Sequence, residues 1–263
     1  MQSLPDARAA LVIAHPGHEL RVHGWLEIAR PLVFVLTDGS GWSGLSRLNS
    51  TTKVLSGAGA KIGPIFGRFT DKQIYASILE TDISRITGLA TELADSFLQN
   101  DVEYVAGDAS EGYNPTHDLC RLVLNAAVEL IKSRTSSHLG NFDFPLTGRP
   151  DDGHHKLLKR AIRLDLDDIA FKRKVRIAQS YTELLQEVGD SVSENGIDAF
   201  RSEYLRPVCG FKESYILEGR PFYEKYGERQ VAAGLYSKVL RYRQHMLPLA
   251  KALRRHVERV DGQ

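Results

Sequence analysis

Short apolar runs, each followed by a polar loop, constrain the fold of this chain more than any other sequence feature. Three of them have the composition of strands: residues 9–14 (AALVIA), 32–36 (LVFVL) and 102–106 (VEYVA). Apolar runs without alternation are typical of strands that are buried on both faces, as in a parallel sheet. Helical patterns occupy the sequence between the runs, near residues 45–58, 71–79 and 82–99.

The alternation of strand and helix predicts an α/β, Rossmann-like three-layer fold with a mostly parallel sheet and right-handed crossovers. Residues 63–66 are a further candidate strand. We expect residues 1–190 to form the main domain and residues 191–263 a helical C-terminal extension packed on it. Later segments are predicted as helix at 118–132, loop at 133–153, helix at 154–187, and helix at 230–259 with an interruption near Pro248.

Histidines follow two of the predicted strands. His15 and His18 lie in the segment AHPGHE directly after the first run, and His117 lies beyond the loop of the third run. Ligands of open α/β sheets bind at such strand ends. A turn with Pro16 and Gly17 can aim two imidazoles at one point, and a catalytic zinc site usually has three protein ligands. On spacing alone, histidines that merely cap or hydrogen-bond are the better interpretation, because H-x-x-H is short and common.

The wider pattern resembles the LmbE/PIG-L family of zinc-dependent N-deacetylases. That family has a strand ending in Ala-His-Pro-Asp-Asp-Glu and a later His-Pro-Asp-His at a helix start. Here the stretches read AHPGHE at residues 14–19 and NPTH at residues 114–117. Residues 36–39 (LTDG) fall at the family's second-strand loop, and Arg47 falls at its helix-opening arginine. The resemblance covers roughly residues 9–185 and is most specific at the metal motifs.

The resemblance implies a metal site and an activity. His15, His18 and His117 stand at the positions of the family's metal ligands, so they are expected to bind Zn²⁺ or another divalent metal. Residues 1–190 would then form a metal-dependent hydrolase domain. The implied reaction cleaves a C–N amide bond and removes an acyl group from an N-acyl amino sugar or a related glycan or glycoside.

The resemblance also implies roles for residues around the metal. Asn114 stands where the family has a histidine that stabilises an oxyanion, and asparagine can still donate a hydrogen bond to an oxyanion. Three further residues of the predicted rim loops are expected to bind substrate. These are Arg47, Tyr113 and Glu111.

Gly17 departs from the family pattern, because it stands where the family has the aspartate that takes a proton from water. Three explanations are open. A displaced acid takes the proton, with Asp38 or Glu19 as candidates and Asp108 and Glu111 also in the rim loops. Alternatively, the site runs another metal-assisted reaction, or the protein binds metal without hydrolysis, as a binding or partner subunit of a biosynthetic pathway. Glu19 has a second interpretation, since the family glutamate usually supports the loop.

Composition excludes several classes of protein. Hydrophobic residues make up 42% of the chain, charged residues 25%, and the net charge is +1, so no global field attracts nucleic acid. No apolar run reaches the roughly 18 residues that a membrane span needs. Residues 1–8 lack the basic start and apolar stretch of a signal peptide. We expect a cytoplasmic protein with a small-molecule or glycan substrate.

Other motifs have two interpretations each. Cys120 is expected to be a small core residue, although it and Cys209 could form one disulfide. Residues 151–155 (DDGHH) and 172–176 (KRKVR) are better interpreted as solvated segments than as metal or phosphate sites. The aromatic and charged residues 218–228 either cover the pocket and contact a sugar, or pack the C-terminal helix or a second copy in a homo-oligomer.

Overall fold

The computed structural model describes residues 7–41, 43–135, 138–152, 158–208, 210 and 219–261. Parts of three sequence features lie outside these ranges: His154 and His155 of the 151–155 stretch, Cys209, and Glu218 of the 218–228 segment. Cys120 is a buried free thiol in the apolar core, as predicted. Within the described ranges, no helix has both the length and the apolar character needed to cross a membrane.

One sheet lies at the centre of the fold. Its strands are β1 (Ala9–Ile13), β2 (Leu32–Thr37), β3 (Lys61–Phe69), β4 (Tyr104–Asp108), β5 (Gly140–Phe144), β6 (Ile162–Asp165) and β7 (Ser202–Pro207). They are arranged in the order β3-β2-β1-β4-β5-β7-β6. The strands from β1 to β5 are parallel, whereas β7 is antiparallel to β5 and β6. The predicted mostly parallel sheet is therefore confirmed.

Helices cover both faces of the sheet. They are α1 (His23–Ala29), α2 (Leu48–Ala58), α3 (Asp71–Leu79), α4 (Ile83–Gln99), α5 (Pro115–Thr135), α6 (Asp168–Ser180), α7 (Leu185–Asn195), α8 (Phe222–Ala232) and α9 (Leu247–Asp261). Leu11 and Ile13 of β1 pack in one apolar core with α1 and α2. Ala10 and Val12 pack in the opposite core with α4, α5 and α9. The two cores give the three layers of the predicted α/β fold.

Local capping signals hold two helix starts at the edge of the sheet where β1 ends. Thr70 and Gln73 form a reciprocal capping box, which fixes Asp71 as the first residue of α3. Asn114 accepts a backbone N–H from the first turn of α5 at 2.8 Å. His117 lies in that turn. Both helices thus bring polar side chains to the carboxyl ends of the parallel strands.

The second half of the chain differs from three of the predictions. Strand β5 lies inside the predicted loop 133–153, and strand β6 lies inside the predicted helix 154–187. The predicted helix 230–259 is broken at residues 233–241, before a π-helical turn at Tyr242–Met246. Strands β5 and β6 are both paired with β7, which comes later in the chain. Such non-local pairing outweighs local propensity and cannot be seen in a short window of sequence.

Partly buried polar contacts hold β5 in place. Arg121, which is buried in α5, donates to the side-chain oxygen of Asn141 at 3.0 Å. Arg206 of β7 donates from Nε to Asp143 Oδ1 at 2.6 Å. Residues 191–263 therefore contain a strand of the sheet as well as α8 and α9, and the domain boundary in front of them stays a prediction.

Candidate metal centre

A sharp turn follows β1, and Gly17 makes this turn. Its φ is +106°, in the left-handed region that glycine adopts without steric cost. The backbone N–H of Ala14 donates to Asp108 Oδ2 at 2.7 Å, which ties the end of β1 to the end of β4. A short 3-10 helix, His18–Val22, begins immediately after the turn. The turn therefore sets His15 and His18 close together at the carboxyl end of the strand.

The structure brings the three predicted ligands into one cluster. The ring centroids of His15 and His18 are 5.3 Å apart, those of His15 and His117 are 5.0 Å apart, and those of His18 and His117 are 4.6 Å apart. All three pairs meet edge to face rather than stacking. We call these three residues the histidine cluster.

A carboxylate and a hydroxyl hold the ring of His15. Its Nδ1 lies 2.9 Å from Asp71 Oδ1 and 2.8 Å from Thr37 Oγ1. Asp71 also accepts the N–H of Gly41. Burial alone would raise the pKa of Asp71, but its hydrogen bonds to His15, Thr37 and Gly41 bring that pKa well below its usual range. Because Asp71 and Thr37 both meet Nδ1, Nε2 is the ring nitrogen of His15 that is left without a partner within the described chain.

A second carboxylate holds the ring of His18. The Nδ1 of His18 lies 2.9 Å from Asp108 Oδ2, the same oxygen that accepts the N–H of Ala14. Asp108 is itself fully buried at the end of β4. Burial lowers the pKa of His18, and the neighbouring Asp108 acts in the opposite direction. Burial also lowers the pKa of His117 well below its usual value, and the other two histidines add to that shift.

The chemistry of these donors fits a divalent metal. Nε2 of His15 and Nδ1 of His117 are buried and have no hydrogen-bond partner in the part of the chain that the structure describes. An orphaned buried polar atom costs about 1–3 kcal/mol, so a ligand for these nitrogens would stabilise the protein. Neutral imidazole backed by a carboxylate is a common metal-ligand arrangement. As they stand, however, no three His, Cys, Asp or Glu side chains among the described residues converge closely enough to hold a metal ion.

The space next to Gly17 is filled by another part of the chain. A Cβ atom at this position would lie 2.1 Å from Cδ1 of Leu184 and 3.8 Å from Cζ of Tyr181. Leu184 is buried in the short 3-10 helix Thr182–Leu184, between α6 and α7. The place where the resembling family has its aspartate therefore holds a leucine side chain from a distant segment.

Glu19, a candidate base, is fully buried in the loop. Its Oε2 accepts the backbone N–H of Gly17 and its Oε1 accepts the hydroxyl of Thr51, both at 2.7 Å. The Thr51 hydroxyl lies 2.8 Å from that of Tyr181. Burial raises the pKa of Glu19 to about 7. Both carboxylate oxygens of Glu19 thus hold the turn at Gly17, which lies between His15 and His18.

Asp38, the other candidate base, lies in the loop after β2. It directly follows Thr37, which contacts His15. Its Oδ1 accepts the N–H of Ser40 at 3.0 Å, and its backbone oxygen accepts the N–H of Arg47 at 2.8 Å. The side chain is partly exposed, so it is open to a substrate at the edge of the sheet.

The three predicted substrate-binding residues lie at different places in the fold. Arg47 pairs with Glu187 at 3.6 Å. Glu111 accepts the hydroxyl of Thr147 at 2.9 Å, and therefore supports the loop after β5. Tyr113 is 51% exposed. Within the described ranges, no hydrogen bond or ion pair joins these three residues to the histidine cluster.

Sequence reasoning missed Asp71 altogether and treated Asp108 only as one of several rim acids. Asp71 comes directly after Thr70, in the sequence TDKQ, which matches the capping box of a helix that follows a strand. That signal marks a helix start, but it does not show which histidine the carboxylate meets. The contact joins residues 56 positions apart.

Comparison with known proteins gives a fold. No protein-family model matches the sequence, and no curated protein matches it. The crystal structure of the A40926 pseudoaglycone deacetylase Dbv21 matches with a TM-score of 0.52 and 19% identity, over 81% of this chain and 100% of that chain. This chain has the fold of that deacetylase.

Two structures from the teicoplanin pathway are similar at lower scores. One is a deacetylase triple mutant, with a TM-score of 0.49 and 15% identity over 77% of this chain and 98% of that chain. The other is the zinc-inhibited form of teicoplanin deacetylase Orf2, with a TM-score of 0.48 and 14% identity over 76% of this chain and 98% of that chain.

Proposed function

We propose that this protein is a metal-dependent hydrolase of the LmbE/PIG-L type that removes an acyl group from an N-acyl amino sugar or a related glycan or glycoside. The observation that carries the proposal is the histidine cluster at the carboxyl ends of the parallel strands, with two of its rings held by the carboxylates of Asp71 and Asp108. The motif resemblance and the fold shared with a deacetylase support it. In this proposal residues 1–190 form the hydrolase domain and residues 191–263 its extension.

His15, His18 and His117 would hold the metal, zinc or another divalent ion. When bound, such an ion polarises an amide carbonyl and makes water more acidic. Asp71 and Asp108 keep the first two rings oriented. The chain's own residues thus supply a neutral nitrogen donor set at the place where an open α/β sheet binds ligands.

Asn114 and Asp38 are the proposed catalytic residues. The side-chain oxygen of Asn114 accepts a hydrogen bond within its own helix start, so its NH₂ group is the part that can donate to an acyl oxygen. Asp38 is the better candidate base, because both oxygens of Glu19 hold the turn. Tyr113 is the rim residue best exposed to contact substrate, with Arg47 and Glu111 supporting the neighbouring loops.

The test combines metal content with acyl release. Elemental analysis of the purified protein should find one divalent metal per chain, and acetate should be released from N-acetylglucosamine derivatives. His117→Ala should lose both metal and activity, whereas His138→Ala, a change at an exposed histidine, should keep both. If the protein contains the metal but releases no acyl group from any amide substrate, it is not a hydrolase of this kind. If His117→Ala binds the metal as well as the native protein does, the histidine cluster is not the metal site.

A second function is favoured by the leucine that fills the space beside Gly17. In this alternative the chain binds metal but does not deacetylate, and acts in another metal-assisted reaction or as a binding or partner subunit. The double variant Gly17→Asp/Leu184→Ala restores the family acid and makes room for it. Activity that appears only in the double variant supports the alternative. An active native protein, inactivated by the same changes, supports a hydrolase with its base elsewhere.

A further inference from the structure

A row of aromatic side chains runs from the loop before α5, across α8, to α3. Tyr113 and Phe222 stack with ring centroids 5.1 Å apart and planes 6° apart. The next centroid distances along the row are 6.1 Å to Tyr226, 6.4 Å to Tyr236 and 5.9 Å to Tyr75. Tyr113, Phe222 and Tyr226 are 51%, 43% and 41% exposed. We call these five residues the aromatic row.

Both ends of the aromatic row are attached to elements that carry the histidine cluster or its partners. Tyr113 directly precedes Asn114, at the start of the helix that contains His117. Tyr75 lies one turn after Asp71 in α3, and the Asp71 carboxylate meets a ring of the cluster. The two end residues of the row are therefore connected through the backbone of α3 and α5 to residues of the candidate metal centre.

The exposure of these rings indicates a binding surface. Single exposed apolar residues are normal in proteins, but a contiguous exposed patch marks a binding surface. The guanidinium of Arg229 lies over the rings of Phe222 and Tyr226, 5.9 Å and 6.0 Å from their centroids, so a cationic donor packs against one face of each ring. Flat π faces, phenol hydroxyls and a guanidinium are thus presented together.

We propose that the aromatic row is a carbohydrate subsite, which binds the sugar ring attached to the acylated amino sugar. The choice of a sugar rests on the proposed function. The C–H face of a pyranose packs against an aromatic ring, while its hydroxyls meet polar groups at the ring edge, here tyrosine hydroxyls and Arg229. An acyl chain would be matched by flexible aliphatic side chains, and the five members of the row are all aromatic.

Ligand length provides the test. Saturation-transfer NMR titrations of the full chain would compare N-acetylglucosamine, its β-1,4-linked dimer and trimer, and its phenyl glycoside. Acetate resonances in the same spectra report turnover. We expect the trimer to bind about 3- to 10-fold more tightly than the monosaccharide, as one stacked ring contributes. Phe222→Ala should bring this ratio close to one, while Phe222→Tyr and the aliphatic control Leu235→Ala should keep it.

Three results would overturn the subsite. They are an equal affinity for all chain lengths in the native protein, a ratio that survives in Phe222→Ala, and a gain for the phenyl glycoside alone, which would indicate an aromatic aglycone. A chain-length preference that Phe222→Ala abolishes, without any acetate, would leave the carbohydrate subsite standing and count against the hydrolase. Acetate release without a chain-length preference would support the hydrolase and count against the carbohydrate subsite.

Discussion

Leu184 occupies the space that any side chain at position 17 would need, because a Cβ atom on Gly17 would lie 2.1 Å from its Cδ1. The backbone of Gly17 is also in the left-handed region, with φ at +106°. Contact and conformation both require glycine at this turn. The departure from the family motif is therefore built into the packing between the first strand's loop and the segment after α6.

Gly17→Ala should destabilise the protein by about 2–5 kcal/mol, the sum of overpacking and left-handed strain. Gly44→Ala is the matched control, because Gly44 has a φ of +71° and no atom within 4 Å of an added Cβ. That change should cost about 1–2 kcal/mol. Urea unfolding measures both. Equal losses of stability in Gly17→Ala and Gly44→Ala would show that Leu184 moves aside without cost. In a Leu184→Ala background, Gly17→Ala should destabilise the protein no more than Gly44→Ala does.

Asp71→Asn should weaken zinc binding about 10- to 100-fold, because the ring of His15 loses its anionic partner. The same substitution should change the free energy of unfolding of the metal-free protein far less than it changes the free energy of zinc binding. Asp95→Asn is the control, since Asp95 is a surface acid paired with Arg134 at 2.6 Å. Chelator competition measures the affinity. The same zinc affinity in Asp71→Asn and Asp95→Asn would contradict a positioning role for Asp71.

Lys174 and Glu203 form a buried ion pair at 2.7 Å, with side chains 6% and 1% exposed. Glu203 also accepts the backbone N–H groups of Gly24 and Trp25, so it joins α6, β7 and α1. Lys174→Met should cost about 3–5 kcal/mol because it leaves Glu203 buried without its cation. The neighbouring exposed Lys172→Met should change the stability little. Chemical denaturation of both variants checks the difference.

Thr51→Val should destabilise the protein by about 1–3 kcal/mol, because it removes the hydroxyl between Glu19 and Tyr181 and leaves a carboxylate oxygen of Glu19 without that donor. Thr52→Val is the matched control, since the hydroxyl of Thr52 is exposed and donates to the backbone oxygen of Leu48 in its own helix. Thermal unfolding of both variants measures the effect. A Thr51→Val protein as stable as Thr52→Val would mean that Glu19 finds another donor.

The first half of the fold could be predicted because its signals are local. Buried parallel strands have continuous apolar runs, and the loops after them can be located directly. Strands β6 and β7 could not be predicted, because each is a strand only through its partner. The same holds for β5, whose polar residues are matched by Arg121 and Arg206.

The candidate site shows the same division. His15 and His18 belong to one short motif, and the resemblance supplied His117. The contact of His15 with Asp71 spans 56 positions, and the contact of Gly17 with Leu184 joins the first strand's loop to the segment between α6 and α7. Neither contact has a signature within its own stretch of sequence. The basic run at 172–176 is likewise not wholly solvated, since Lys174 is buried.

X-ray absorption at the zinc edge tests most directly that the histidine cluster holds a metal. The native protein loaded with one equivalent of zinc should show three imidazole nitrogens at about 2.0–2.1 Å from the metal. His117→Ala should show one imidazole fewer and a weaker affinity. A native spectrum with sulfur ligands, or with no more than one imidazole, would mean that the histidine cluster does not hold the metal.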